Sequence, residues 1–210
     1  DVTANPTVLL DDAALANGNP DGTGDDANSA NTTGTLGHIF GADGGTIAFQ
    51  TTGAPGGFTY ELALNGTDLL VKQGGVTVLT VTLNPATGDY TVTQNAPIAH
   101  APGDNENNQG FTLNYVVTDG DGDTVPGTLA INVDDDTPRI SPVVVLCGIA
   151  DEDGLPGGIA GGVGDTPGEL TVLGGSVTTL FESGADTPLT YGLTADGIAG
   201  LPALTSGGVT

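Results

Sequence analysis

Apolar and polar residues largely alternate along VTVLTVTL (76–83) and FTLNYVVT (111–118), and the apolar positions are rich in β-branched side chains. A period of two sends successive side chains to opposite faces, so each run predicts a strand with one face buried. Shorter runs of the same kind predict strands at 7–10, 35–40, 46–50, 58–64, 68–73, 89–94 and 126–133. Residues 11–34 read as one long polar loop. Turn chemistry separates the strands. Asn65-Gly66 and NPATGD (84–89) supply residues that accept positive φ or preset it, and the second predicts a hairpin joining 76–83 to 89–94. No stretch carries the 3.6-residue apolar period of an amphipathic helix. Short strands punctuated by Gly and Pro predict an all-β fold built from Ig-like antiparallel β-sandwich modules.

The pattern also repeats. NPTVLLDDAALANGNPDGTGDD (5–26) aligns with SPVVVLCGIADEDGLPGGIAGGVGD (141–165), and LGHIFGADGGTIAF (36–49) with VTTLFESGADTPLTY (177–191), at an offset of about 136 to 143 residues. The expected organisation is one complete β-sandwich repeat over 1–138 and the first part of a second over 139–210. Later residues, an insertion that splits the domain, or another chain would complete the second. The sequence reads as an interior section of something longer, and its lack of a signal peptide therefore says little about export.

Charge changes the picture. Two basic residues stand against 26 acidic ones, a formal net charge of −24. A chain almost without cations cannot neutralise phosphates, which excludes nucleic acid and an anionic membrane surface as partners. No apolar run approaches the length of a membrane span, so no direct membrane insertion is expected. High charge and 36 Gly would suit disorder, but the 37% apolar residues cluster in strand patterns. Cations that neutralise the acid reconcile the two. Cys147 is the single cysteine, so no internal disulfide can staple the fold; it reads as a small buried apolar residue. Trp and Met are absent, which leaves Val, Leu and Ile to fill the core.

The acids are placed where a cation could use them. In VTDGDGDTVPGTLAINVDDDTP (117–138), Asp119, Asp121 and Asp123 precede one strand and Asp134, Asp135 and Asp136 follow it. Calcium takes six to eight oxygens, and alternate aspartates on a turn present several on one side. The first group begins like an EF-hand loop, but its twelfth position is Ala130 where a bidentate Glu should stand, so it is read as a short Asp-Gly calcium loop. At ~3.3 Å per residue the two groups lie roughly 25 Å apart and cannot share an ion. Asp134 to Asp136 are expected to hold calcium at the joint between units. Asp11 and Asp12, with Asp151, Glu152 and Asp153 at the matching place in the second unit, are further candidate ligands, in loops that also carry Asp25, Asp26 and Asp165. GDNENNQG (103–110), with Glu106 and several Asn, offers oxygens to a cation or caps for its own backbone, and capping is the favoured reading. His38 and His100 lack zinc-spaced neighbours and read as surface or packed histidines. No Ser-His-Asp order, nucleophile elbow or phosphate loop is present, so no catalytic residue is expected.

Together, TLAINVDDDTP, NENNQGFTLNYVVTDGDGDT, DEDGLPGG and the paired GAD motifs resemble the tandem extender repeats of giant RTX adhesins, which Gram-negative bacteria export by type I secretion. The resemblance spans nearly the whole chain. It implies an extracellular, surface-anchored fibre of β-sandwich modules, stiffened by calcium, that holds a distal binding domain away from the cell in biofilm formation or host attachment. Its expected partners are neighbouring repeats of the same chain. The nonapeptide array and secretion signal of that family are absent here; they belong at the far C-terminus. Two rival expectations stand beside it: a subunit of an extracellular filament, in which identical chains donate strands to one another, and a calcium-dependent glycan- or peptide-binding module.

Overall fold

A computed structural model describes residues 3–20, 24–26, 29–103, 106–142, 149–165, 171–172 and 174–192. Cys147 lies outside them. The described residues form eleven strands and three short 3-10 turns, with no α-helix. The fold is all-β, and no helix is long and apolar enough to cross a membrane.

Nine strands make two sheets. One has the order β1 (Val8–Asp11), β9 (Thr124–Asp134), β8 (Gln109–Asp119), β3 (Gly45–Phe49). The other has the order β2 (Asn31–Thr35), β7 (Asp89–Gln94), β6 (Val76–Leu83), β5 (Leu69–Gln73), β4 (Phe58–Leu62). Every pairing within them is antiparallel except β1, which runs parallel to β9 with Leu10 opposite Val133 and Asp11 opposite Asp134. The alternating positions decide the faces. Leu113, Leu129 and Val133 of the first sheet and Leu69, Val71, Leu79 and Val81 of the second share one buried core. Each such side chain contributes about 1.5–3 kcal/mol by leaving water. Tyr60 Oη ties the layers by donating to the Thr112 carbonyl at 3.1 Å.

The hairpin expected at 84–89 forms, with Leu83 opposite Tyr90. One expected strand is displaced. The run 35–40 is not a strand; the strand is Asn31–Thr35, inside the segment read as polar loop. Its threonines suit an extended edge, and its backbone pairs with β7 from Asn31↔Thr93 to Thr35↔Asp89. Leu36 then turns fully into the core, and the chain leaves the sheet. Pro126 sits inside β9, which pairs with β8 there, while β1 reaches only residues 131–134. A residue without an N–H is tolerated where one side of the strand lacks a partner.

Beyond β9, the chain crosses 135–138 into β10 (Arg139–Ile140), which pairs antiparallel with β11 (Phe181–Glu182). The first loop has a structural twin there. Asp11 caps the 3-10 turn 12–14 by accepting from Ala13 N, Leu15 N donates to Asp12 O, and Gly18 N donates to Leu15 O. Asp151 likewise accepts from Asp153 N, Leu155 N donates to Glu152 O, and Gly158 N donates to Leu155 O. In both loops a Cβ on the glycine would overlap a backbone carbonyl, that of Ala13 or of Asp153. The aligned motifs DDAALANG and DEDGLPGG thus fold alike.

Candidate cation sites at the joint

β1, β7 and β9 all end, and β8 begins, at one end of the two-sheet body, so Asp11, Gln94, Asp134 and Gln109 meet there. Acidic loops converge on it. The run Asp134 to Asp136, expected to act together, is divided among three polar groups.

Asp134 joins Asp25 and Glu106, whose carboxylate oxygens all lie within 4.8 Å of one another. Asp134 is 0% exposed and Glu106 7%. Asp134 Oδ2 accepts from Asp26 N at 2.9 Å, and Glu106 Oε1 accepts from Thr137 Oγ1 at 2.9 Å. Asp134 Oδ1 and Glu106 Oε2 are buried with no hydrogen-bond partner among the described residues. Burial first, then neighbouring carboxylates, pushes both pKa values above the ordinary range. Capping in the 103–110 loop falls to Asn107, whose Nδ2 donates to the carbonyls of Ala101 and Gly103. Glu106 instead turns inward.

Asp135 joins Asp12 and His100. Asp12 is 0% exposed; it accepts from Gln94 Nε2 and, at 2.9 Å, from Ile98 N. The His100 side chain is 2% exposed, with Nε2 3.5 Å from Asp12 Oδ2 and 4.0 Å from Asp135 Oδ1. These are ion-pair distances, and neither ring nitrogen makes a hydrogen bond among the described residues. Read from sequence as a lone histidine, His100 is enclosed by acids. Asp186, from the segment after β11, also acts on this group: burial, then the charge of Asp12 and a hydrogen bond with Asp135, pushes its pKa up to about 7.

Asp136 links the first loop of the two-sheet body to the segment after β11. Both its oxygens accept from Asn19 N at 3.2 Å, and Oδ2 accepts from Ala185 N at 2.5 Å. Asn19 Nδ2 donates to Thr137 O at 3.0 Å and Glu182 O at 3.2 Å. Arg139 Nε meets Glu182 Oε2 at 2.6 Å.

Two further groups lie apart. At the β8–β9 turn, Asp119, Asp121 and Asp123 converge as expected from their spacing. Asp119 Oδ1 accepts from Gly122 N and Asp123 N, closing the turn on itself. A hydrogen bond from Asp121 lowers the Asp119 pKa and raises that of Asp121. In the second loop, Asp151, Asp153 and Asp165 converge, while Glu152 stands outside the group. Asp11 caps its own 3-10 turn and is not in any convergent group among the described residues. Sequence reasoning therefore missed His100 and Asp186 at this end, and it weighed Glu106 as an oxygen donor but favoured capping. Their loops carry no spacing signal, because their partners are brought in from distant strands.

The family model described as a domain of unknown function (DUF5801) matches residues 7–132, and the chain belongs to that family. The match begins with β1 and stops just short of Asp134 at the end of β9. No curated protein and no solved structure matches the chain.

Proposed function

We propose that this chain is a structural extender section of a large secreted cell-surface adhesin, non-catalytic, built of Ig-like β-sandwich repeats and stiffened by calcium. The observation that carries the reading is the group of Asp25, Glu106 and Asp134. Two buried carboxylate oxygens there have no partner among the described residues, and all three side chains offer oxygens within 4.8 Å of one another. Calcium binds oxygens at 2.3–2.6 Å, so ligands on opposite sides of the ion stand about 5 Å apart, and the group fits it. An unpaired buried carboxylate is costly, and a divalent cation removes that cost. The group lies beside residues 135–138, where the chain passes toward β10, so a cation there would brace the joint. The twin loops at 11–18 and 151–158 support tandem repetition, and the resemblance to RTX adhesin repeats supplies the extracellular setting.

The test is thermal unfolding against calcium, with magnesium as control. The midpoint should rise with calcium concentration, since a ligand of the native state alone stabilises by mass action. A midpoint that stays put up to about 10 mM calcium rules the reading out.

A second reading, strand exchange between identical chains in a filament, draws on the surface around β10 and β11. A groove of about 620 Å³ there is lined by Pro138, Val177, Leu180, Phe181, Leu189 and Tyr191 among others. Phe181 and Tyr191 are exposed on it. Strands from the remainder of this repeat or from a neighbouring copy would cover it. Sedimentation that stays monomeric across concentration removes the filament.

A further inference from the structure

The two metal-like groups at the joint differ in kind, because one contains an imidazole. We propose that Asp12, His100 and Asp135 form a zinc site, distinct from the oxygen-only group of Asp25, Glu106 and Asp134. Imidazole suits zinc and related first-row ions, whereas calcium takes hard oxygen ligands.

The geometry supports the small ion. Zinc bonds of about 2.0–2.2 Å in a tetrahedron separate neighbouring ligand atoms by about 3.3–3.6 Å. His100 Nε2 stands 3.5 Å from Asp12 Oδ2 and 4.0 Å from Asp135 Oδ1. The first distance needs no change, and the second closes by a small side-chain rotation. An independent observation points to a ligand: the imidazole is 2% exposed, yet neither nitrogen has a hydrogen-bond partner among the described residues. A buried polar group left in that state is destabilising, and a metal bond satisfies it. Asp12 is held in place by Ile98 N on Oδ2 and Gln94 Nε2 on Oδ1, the kind of outer support that orients a metal-bound carboxylate.

Two carboxylates and one neutral imidazole supply three donors of the types zinc takes, leaving a fourth position to water.

The chain has only two histidines, so proton NMR of the imidazoles reads the site directly, with His38→Gln giving the assignment. Zinc chloride is added to protein already saturated with calcium. The expected result is one zinc per chain by elemental analysis after dialysis, with the His100 resonances shifted by zinc and unmoved by further calcium. His100→Gln should weaken zinc binding by about 100-fold and keep the calcium-induced rise in the unfolding midpoint. Should that variant fail to fold, Asp135→Asn serves in its place and should weaken zinc by about 10-fold or more. Zinc that leaves the His100 resonances unmoved, or that binds both variants as tightly as the wild type, overturns the proposal. A flat calcium response with intact zinc binding would instead remove the calcium reading and leave this one standing.

Discussion

Asp12 and His100 face each other 3.5 Å apart, both closed to solvent, at the end of the two-sheet body. Burial raises the pKa of Asp12, and it does the same at Glu106, Asp134 and Asp136. For His100 burial acts downward, but the carboxylates of Asp12, Asp135 and Asp186 outweigh it and the pKa ends above its ordinary value. All these groups hold their protons more tightly when folded. Their stabilisation is complete below the unfolded values, about 4 for carboxyls and about 6.5 for imidazole, and is lost as pH rises through the folded ones. Asp186 places part of that loss at about 7. In chelator, the unfolding midpoint is therefore expected to rise as pH falls from about 8 to about 5. A calorimetric series checks this, and a midpoint that drops on acidification over that range contradicts it.

Glu106→Gln separates repulsion from binding. Gln keeps an oxygen to accept from Thr137 Oγ1 and removes one buried charge from beside Asp134. The cation-free variant should melt at or above the wild-type midpoint, while its response to calcium shrinks. A variant as calcium-responsive as the wild type would take Glu106 out of the site.

Asp136→Ala tests the tie to the later segment. The Asn19 and Ala185 N–H groups would lose their acceptor, at a cost of about 1–3 kcal/mol. Hydrogen exchange at Ala185 should accelerate, while exchange in β6 and β7 stays slow. Unchanged protection at Ala185 would mean that other contacts hold the segment.

Tyr115 Oη donates to the Gly37 carbonyl at 2.9 Å and accepts from Asn5 Nδ2 at 2.9 Å. Tyr115→Phe should cost about 0.5–1.5 kcal/mol, read from denaturant unfolding. The loss should show also as faster exchange at Gly37, whose N–H bonds Asn5 Oδ1.

Gly18→Ala would drive a methyl group into the Ala13 carbonyl. Repair requires moving the first loop, and the expected cost is about 1–3 kcal/mol. Gly158→Ala repeats the clash against Asp153 in the twin loop and should disturb that loop without lowering the main unfolding midpoint. Equal effects on the main midpoint would argue against separate units.

Most strands were legible because alternation is a local signal: VTVLTVTL and FTLNYVVT became β6 and the centre of β8. The strand Asn31–Thr35 was not, because its five residues carry almost no apolar alternation and are held by backbone pairing to β7. The turn acids Asp119, Asp121 and Asp123 converge because residues this close on one tight turn have no other option. Neighbours in sequence need not share a site, and Asp134, Asp135 and Asp136 show it, since each meets a different set of partners brought in by distant loops.

The sequence by itself determined the all-β class, the principal hairpin and the acidity of the loops, since each follows from residue type and short-range spacing. Only the tertiary structure decided the joint. Parallel pairing of β1 on β9 set Asp11 opposite Asp134, and loop closure carried His100, Glu106 and Asp186 to the same end. Those contacts join residues far apart in the chain, and their burial comes from packing two sheets together, which no local pattern encodes.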